Sequence, residues 1–276
     1  MRRILAFSAL MLLTSLPVAA IQGIASSSVS GSSVSLTVAL PGNLGADVTL
    51  SFESVTGLTL ANLGVSAQLI NPSDPTLLAR LPGGSIPAGA FPVLLRIEPP
   101  ATGNLAFTGI ATLEIHTHNL QYVGGSPLRI FSAPIGGGFH DITADMGAGS
   151  YRARGTSGGF SEFLIVSEAR SLATVIAAKF NRLEALLDGY EGSMSATLYD
   201  DLSAILGTAL AEYTQGDTSG AIHEIDDFLE LVEDNSGTAL PDVWRSARNV
   251  ENVAGYLRAR AQTLRFSLVL QRAGGV

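Results

Sequence analysis

Near residue 168 the spacing of apolar residues in this chain changes from two to about 3.6, and no single class of secondary structure accommodates both periods. Upstream, Val34, Leu36, Val38 and Leu40 fall on one face of an extended segment. Val48, Leu50 and Phe52 do the same, as do Val65, Ala67 and Leu69, then Val93, Leu95 and Ile97. Leu113-Ile115, Leu128-Ile130, Tyr151-Ala153 and Phe163-Ile165 continue the series. Turn formers separate the runs: Pro41-Gly42-Asn43, Asn71-Pro72-Ser73, Pro82-Gly83-Gly84, Pro99-Pro100 and Gly136-Gly137-Gly138. Eight or nine short strands at this spacing predict an antiparallel, Ig-like β-sandwich over residues 21–167.

Downstream, four apolar stripes follow helical spacing. They run through Leu172, Ile176, Phe180, Leu183 and Leu187, through Leu198, Leu202, Ile205 and Ala209, and through Ile222, Ile225, Leu229 and Val232. The fourth takes in Val243, Ala247, Val250, Ala254, Leu257 and Ala261. Ser193 or Ser195 and then Asp217 are in place to cap the second and third helices, Gly237 to close the third, and Pro241 to open the fourth. The expected fold class is therefore α+β in two segregated parts, the sandwich being followed over residues 168–262 by a four-helix bundle of two hairpins. Residues 263–276 read as a C-terminal strand or tail, because Leu264, Phe266, Leu268 and Leu270 alternate, or as the end of the fourth helix.

The N-terminus has the layout of an export signal. Met1-Arg2-Arg3 is positive, Ile4 to Leu13 is apolar, and Leu16-Pro17-Val18-Ala19-Ala20 ends in small residues, so residues 1–20 are expected to be cleaved after Ala20. The apolar run is shorter than the roughly 20 residues that cross a bilayer, so no integral membrane span is expected in the mature chain. The protein is expected in the periplasm or outside the cell. Of 276 residues, 46% are apolar and only 14% charged, which argues against a disordered chain. The net charge of −8 repels phosphate backbones, so nucleic acid is not an expected partner. There is no cysteine, which excludes disulfides, thiolate zinc sites and a cysteine nucleophile.

Tyr213-Thr214-Gln215-Gly216-Asp217, Ala221-Ile222, Phe228, Val232 and Ser236-Gly237 form a patterned core in the helical half. The stretch from Ile176 to Leu264 resembles the FIMAH type of helical domain found in exported and cell-surface bacterial proteins. In that resemblance Gly216-Asp217 closes one hairpin, Ala221-Ile222 begins the next helix, and Gly237 with Leu240 closes it. The Val243-Trp244-Arg245 segment departs from that pattern. The β half, with Pro134 to Gly138 and Gly149 to Gly155, resembles uncharacterised exported proteobacterial proteins. The resemblance implies an architecture and no reaction.

Glu114-Ile115-His116-Thr117-His118 is the one motif with metal-ligating chemistry. On a strand, Glu114, His116 and His118 project from one face about 7 Å apart, and a carboxylate with two imidazoles suits zinc or another divalent metal. Gly155-Thr156-Ser157-Gly158-Gly159 matches the form of a nucleophile elbow but has strand-like flanks on both sides, so it reads as a glycine-rich hairpin turn. Gly136-Gly137-Gly138 has no following lysine and reads as a turn. The arginines from Arg245 to Arg265 face an acidic run from Asp226 to Asp234 in the preceding helix, which suggests interhelical ion pairs. Trp244, the lone tryptophan, is either a plug in the bundle or a binding anchor. No catalytic set emerges. The expected function is a non-enzymatic, exported interaction module without a cofactor, whose partner is a protein or an envelope polymer. The alternative is a metal-binding protein or metal-dependent enzyme centred on Glu114, His116 and His118.

Overall fold

The computed structural model describes residues 22–122, 125–147 and 149–274; the segment read as an export signal lies outside them. Among the described residues there are thirteen strands and six α-helices. The first strands are β1 (Ile24–Ser30), β2 (Ser33–Leu40) and β3 (Leu44–Thr56). After them come helix α1 (Leu60–Leu63), β4 (Val65–Leu69), helix α2 (Pro75–Leu78), β5 (Ser85–Pro87) and β6 (Val93–Ile97). The strands continue with β7 (Ala106–Tyr122), β8 (Leu128–Ala133), β9 (His140–Asp141), β10 (Thr143–Gly147), β11 (Gly149–Ser157) and β12 (Glu162–Glu168). The remaining elements are α3 (Leu172–Gly189), α4 (Ala196–Thr214), α5 (Thr218–Asp234), β13 (Val243–Arg245) and α6 (Val253–Arg272).

Two antiparallel sheets result. One runs β1-β2-β3-β7-β11-β10, with β13 joined to the start of β7; the other runs β4-β6-β12-β8-β9, with β5 joined to β12. Their facing sides share one apolar core that includes Val34, Leu36, Val48 and Leu50 from the first sheet and Val93, Leu95, Phe163 and Ile165 from the second. The alternation read from the sequence follows from this, because only one face of β2 and β3 is buried. Strand β12 does not alternate. Phe163 and Ile165 face the first sheet, while Leu164 and Val166 pack with Leu77, Leu81, Phe131 and Phe139 on the other side. A strand buried on both faces reads as a continuous apolar run.

The helical stripes bury where their period places them: Ile176, Phe180, Leu183 and Leu187 of α3, Leu198 and Leu202 of α4, and Ile222, Ile225 and Val232 of α5. Ser195 Oγ accepts from the Leu198 amide and Asp217 Oδ1 from the Gly220 amide, so both expected caps form.

The expected segregation into a clean eight- or nine-stranded sandwich and a separate four-helix bundle is overturned. Two four-residue helices, α1 and α2, interrupt the β part, capped by Thr59 and Asp74. Val243-Trp244-Arg245 opens no helix; it forms β13, which leaves the helices and pairs antiparallel with Ala106, Phe107 and Thr108 of β7. Helix α6 then packs against β7, β10 and β11 as well as α3 and α5. The physical reason lies in Trp244. Its ring finds its apolar contacts against Phe107 of β7 and Phe160 of the β11–β12 connection, and helical spacing in a short apolar run does not outweigh that burial. Thr263 to Leu270 belong to α6, with Leu264 and Leu268 buried.

Candidate functional site

The strand face predicted to hold metal is occupied by ion pairs. Glu114, His116 and His118 line one side of β7, while Ile115 and Thr117 between them are buried. Arg154 Nε donates to Glu114 Oε2 at 2.6 Å, and Arg152 Nε lies 3.6 Å from Glu114 Oε1. His118 Nε2 is 2.9 Å from Asp47 Oδ2 across the β3–β7 pair. His116 Nδ1 lies 3.4 Å from Arg152 Nη2. Among the described residues, no group of three or more His, Asp or Glu side chains is placed to hold a metal ion. The Gly155 to Gly159 stretch is not a hairpin: β11 belongs to one sheet and β12 to the other, and Ser157 Oγ donates to the Gly159 carbonyl at 2.7 Å in the crossing.

Trp244 is 7% exposed, stacked on Phe107 at 5.5 Å and set edge-on to Phe160 at 4.8 Å. It therefore plugs the sheet core instead of the bundle. With Phe160, Tyr190 and Tyr256 it also lines a groove of about 400 Å³, rimmed by Ile135, Arg248, Val250 and Glu251. The Tyr190 and Tyr256 rings stack 6.5 Å apart. Burial, and a hydrogen bond to Glu251, push the Tyr190 hydroxyl well above its ordinary range. Ile135 and Val250 are 43% and 36% exposed, large for apolar side chains on one rim.

Tyr256 and Arg260 lie one turn apart on α6, so that helix carries the groove toward a second, charged chamber. The chamber holds about 60 Å³ and is lined by His140 and Asp141 of β9, by Lys179 and Arg182 of α3, and by Arg260 and Thr263 of α6. Lys179 is the chain's single lysine, and it is buried. Its ammonium lies 2.7 Å from Asp141 Oδ2 and donates to the Thr263 carbonyl, Thr263 Oγ1 and Ser267 Oγ. Burial lowers this ammonium's pKa and the Asp141 carboxylate opposes the shift. Asp141 Oδ1 in turn accepts from the Thr143 amide at 2.8 Å. Burial, reinforced by Arg182, lowers the Arg260 guanidinium to about 10. Arg170, at the chamber's edge, is neutralised by Glu168.

Both walls of the groove and the chamber fall within one family match. Residues 8–272 match a family described as a family of unknown function, DUF6689. The chain belongs to that family. No curated protein matches it. The DUF6689 match ends at Arg272, the last residue of α6, so the sheets and the helices lie within one family unit.

In this DUF6689 chain the expected interhelical pairs do form between Arg265 and Asp226 and, at 3.5 Å, between Arg258 and Glu233. Arg258 also grips Glu53 of β3 through two 2.9 Å bonds. Among the described residues, Arg260 has no such partner. The chamber escaped sequence reasoning because His140, Arg182 and Arg260 come from three distant segments. One signal was available: a lone lysine inside an amphipathic helix of an arginine-using chain, on the apolar side of the α3 stripe with Ile176, Phe180 and Leu183.

His140 gives the chamber a pH signature. Burial, with Arg260, Arg182 and Lys179 adding repulsion and the Gly138 carbonyl opposing them, holds the imidazole well below its usual 6.5. The folded ring is neutral where the unfolded ring takes up a proton. The unfolded state then binds more protons, so the contribution from His140 is present above about pH 6.5 and is lost as the pH falls through the range below it. We expect the melting temperature to decline between pH 7 and 5 and the decline to flatten in His140→Asn. Glu162 acts in a separate window. Burial raises its carboxyl pKa, but hydrogen bonds from Arg80 and Arg96 outweigh burial and hold it below 4.5, so its loss begins only at more acid pH. An unchanged slope in His140→Asn would assign the decline to other groups.

Proposed function

We propose that this DUF6689 protein is an exported, non-enzymatic binding module that captures an envelope polymer. The export reading rests on residues 1–20 of the sequence, and the FIMAH-like spacing of Gly216-Asp217 and Ala221-Ile222 supports a place among exported surface proteins. The observation that carries the binding reading is the groove lined by Phe160, Tyr190, Trp244 and Tyr256. Its volume of about 400 Å³ lies within the roughly 300–1,000 Å³ of ligand sites, and its aromatic floor with a few polar rim groups is their usual composition. Flat aromatic faces suit the apolar faces of sugar rings, and Arg248 and Glu251 supply hydrogen-bonding groups at the rim.

Trp244 is the only tryptophan, so its fluorescence reports the groove directly. Residues 21–276 are expected to bind purified peptidoglycan fragments with a change in Trp244 emission. Ile135→Asp/Val250→Asp, both exposed rim positions, is expected to weaken binding at least tenfold with no change in melting temperature. Equal binding by this variant, or turnover of the polymer by the purified protein, would overturn the reading.

A further inference from the structure

We propose that the chamber formed by His140, Arg182 and Arg260 is a binding site for a small oxyanion, a carboxylate or phosphate group carried by the ligand that lies in the aromatic groove. The inference deepens the binding reading above and rests on it for the identity of the carrier, but not for the anion itself.

The argument begins with charge. Four cations, Arg170, Lys179, Arg182 and Arg260, line the chamber against one carboxylate, Asp141, and Arg170 is paired with Glu168. Asp141 is already engaged by Lys179 at 2.7 Å and by the Thr143 amide at 2.8 Å. Lys179 is in turn saturated, because Asp141, two atoms of Thr263 and Ser267 take its donors. Among the described residues, neither Arg182 nor Arg260 has a hydrogen bond or a carboxylate within 4 Å, although other arginines do, including Arg80, Arg96, Arg154, Arg170, Arg258 and Arg265. Two guanidiniums with ten N–H donors between them thus share a chamber in which no hydrogen bond from a described residue receives them, leaving their donors to solvent or a ligand. Arg260 is half-buried and Arg182 exposed, so leaving them unpaired carries part of the cost of a buried charge. Burial and the neighbouring Arg182 lower the Arg260 pKa, and an oxyanion between the two guanidiniums would oppose both effects.

A second observation is independent of the arginines. His140 Nδ1 is buried and makes no well-formed hydrogen bond among the described residues, although the Gly138 carbonyl lies beside the ring, and the ring lines the same chamber. The volume of about 60 Å³ equals the space of roughly four waters, at about 10–15 Å³ each, which is enough for a carboxylate or a phosphate group and too small for a sugar or a side chain. Lys179 now has a clear part. By holding Asp141 it keeps the one nearby carboxylate from swinging to Arg260 and filling the site from within. The overall charge of −8 makes the chamber a local exception to an anion-repelling surface, so recognition is short-ranged and little steering is expected.

The test uses residues 21–276 with sodium phosphate and sodium acetate as probes, at constant ionic strength against sodium chloride, read by calorimetry and by melting temperature. We expect saturable binding of at least one probe with a rise in melting temperature. Arg260→Gln and, separately, the more exposed Arg182→Gln are expected to weaken it at least tenfold while circular dichroism stays native. Saturation by acetate alone identifies a carboxylate, and by phosphate alone a phosphate group; either supports the site. No saturable binding by the parent, or equal binding in a folded Arg182→Gln variant, overturns it. Ile135→Asp/Val250→Asp separates the two readings. If it loses polymer binding and keeps the anion, both stand; if polymer binding fails in the parent while anion binding holds, only the groove reading falls.

Discussion

Lys179→Ala is expected to cost about 3–5 kcal/mol of folding stability, the usual penalty for removing one partner of a buried ion pair. For a domain of this size that corresponds to a fall in melting temperature of roughly 6–20 °C. Most of the penalty belongs to what is left behind. Asp141 is 7% exposed, and without Lys179 its Oδ2 loses its 2.7 Å partner and can be paired again only by shifting toward the Arg260 guanidinium across the chamber. Thr263 and Ser267 lose a shared donor as well. The expected rescue follows from the same account. In Lys179→Met/Asp141→Asn, the methionine fills the space of the lysine stem and the asparagine still accepts from the Thr143 amide, so the double variant should be more stable than Lys179→Met. Urea denaturation of the parent, both single variants and the double variant gives the coupling energy. A double variant no more stable than Lys179→Met would show that the stranded carboxylate is not the source of the loss.

The sequence announces this lysine only by its rarity, and the same division between local and distant information runs through the whole fold. Strands β2 and β3 and helices α3 to α5 are legible because their burial depends on a face, and a face is written in the spacing of residues such as Val34, Leu36 and Val38 or Ile176, Phe180 and Leu183. Thr263 to Leu270 satisfied both periods, alternation through Leu264, Phe266, Leu268 and Leu270, and helical spacing from Leu257 through Ala261, Leu264 and Leu268. The helix prevails, and Leu264 and Leu268, which both patterns share, are its fully buried pair. Val243 to Arg245 was illegible for a different reason. Its conformation is decided by Phe107 and Phe160, which lie far away in the chain. The short helices α1 and α2 escaped because four residues carry no measurable period; only the caps Thr59 and Asp74 mark them. The candidate site is the extreme case. Arg260 was visible as one of a late arginine group, but only the packing of α3 and α6 against β9 places it with His140 and Asp141. Conversely, Glu114, His116 and His118 were correctly seen to share a face, and what the sequence did not disclose was that Arg152, Arg154 and Asp47 on neighbouring strands already occupy them.

Asn252 anchors the first turn of α6 to the sheets, and its replacement should be the second large loss. Asn252 is 0% exposed. Its Nδ2 donates to the Gly109 carbonyl at 2.6 Å and to the Gly158 carbonyl at 3.2 Å, and its Oδ1 accepts from the Gly255 amide, capping α6. One side chain thus ties β7, the β11–β12 crossing and the first turn of the helix. The approach is close enough that a Cβ on Gly158 would run into the Tyr256 backbone nitrogen, and one on Gly255 into the Gly109 carbonyl. Solvent has no room to replace the lost bonds. Asn252→Leu strands two carbonyls and one amide, at about 1–3 kcal/mol for each buried unsatisfied group and about 1 kcal/mol for the cap. Because these terms overlap, a loss of about 3–5 kcal/mol is expected. Asn252→Asp is the sharper probe. It retains the cap acceptor but turns a negative oxygen toward the Gly109 and Gly158 carbonyls, so it should also destabilise strongly, whereas at an ordinary exposed N-cap the same exchange is nearly neutral. Tyr256 and Trp244 share the groove that α6 closes, so both variants should shift Trp244 emission to longer wavelength and speed hydrogen exchange at the Gly255 amide. An Asn252→Asp protein as stable as the parent would mean that the cap alone, and not the link to the two sheet carbonyls, holds α6 in place.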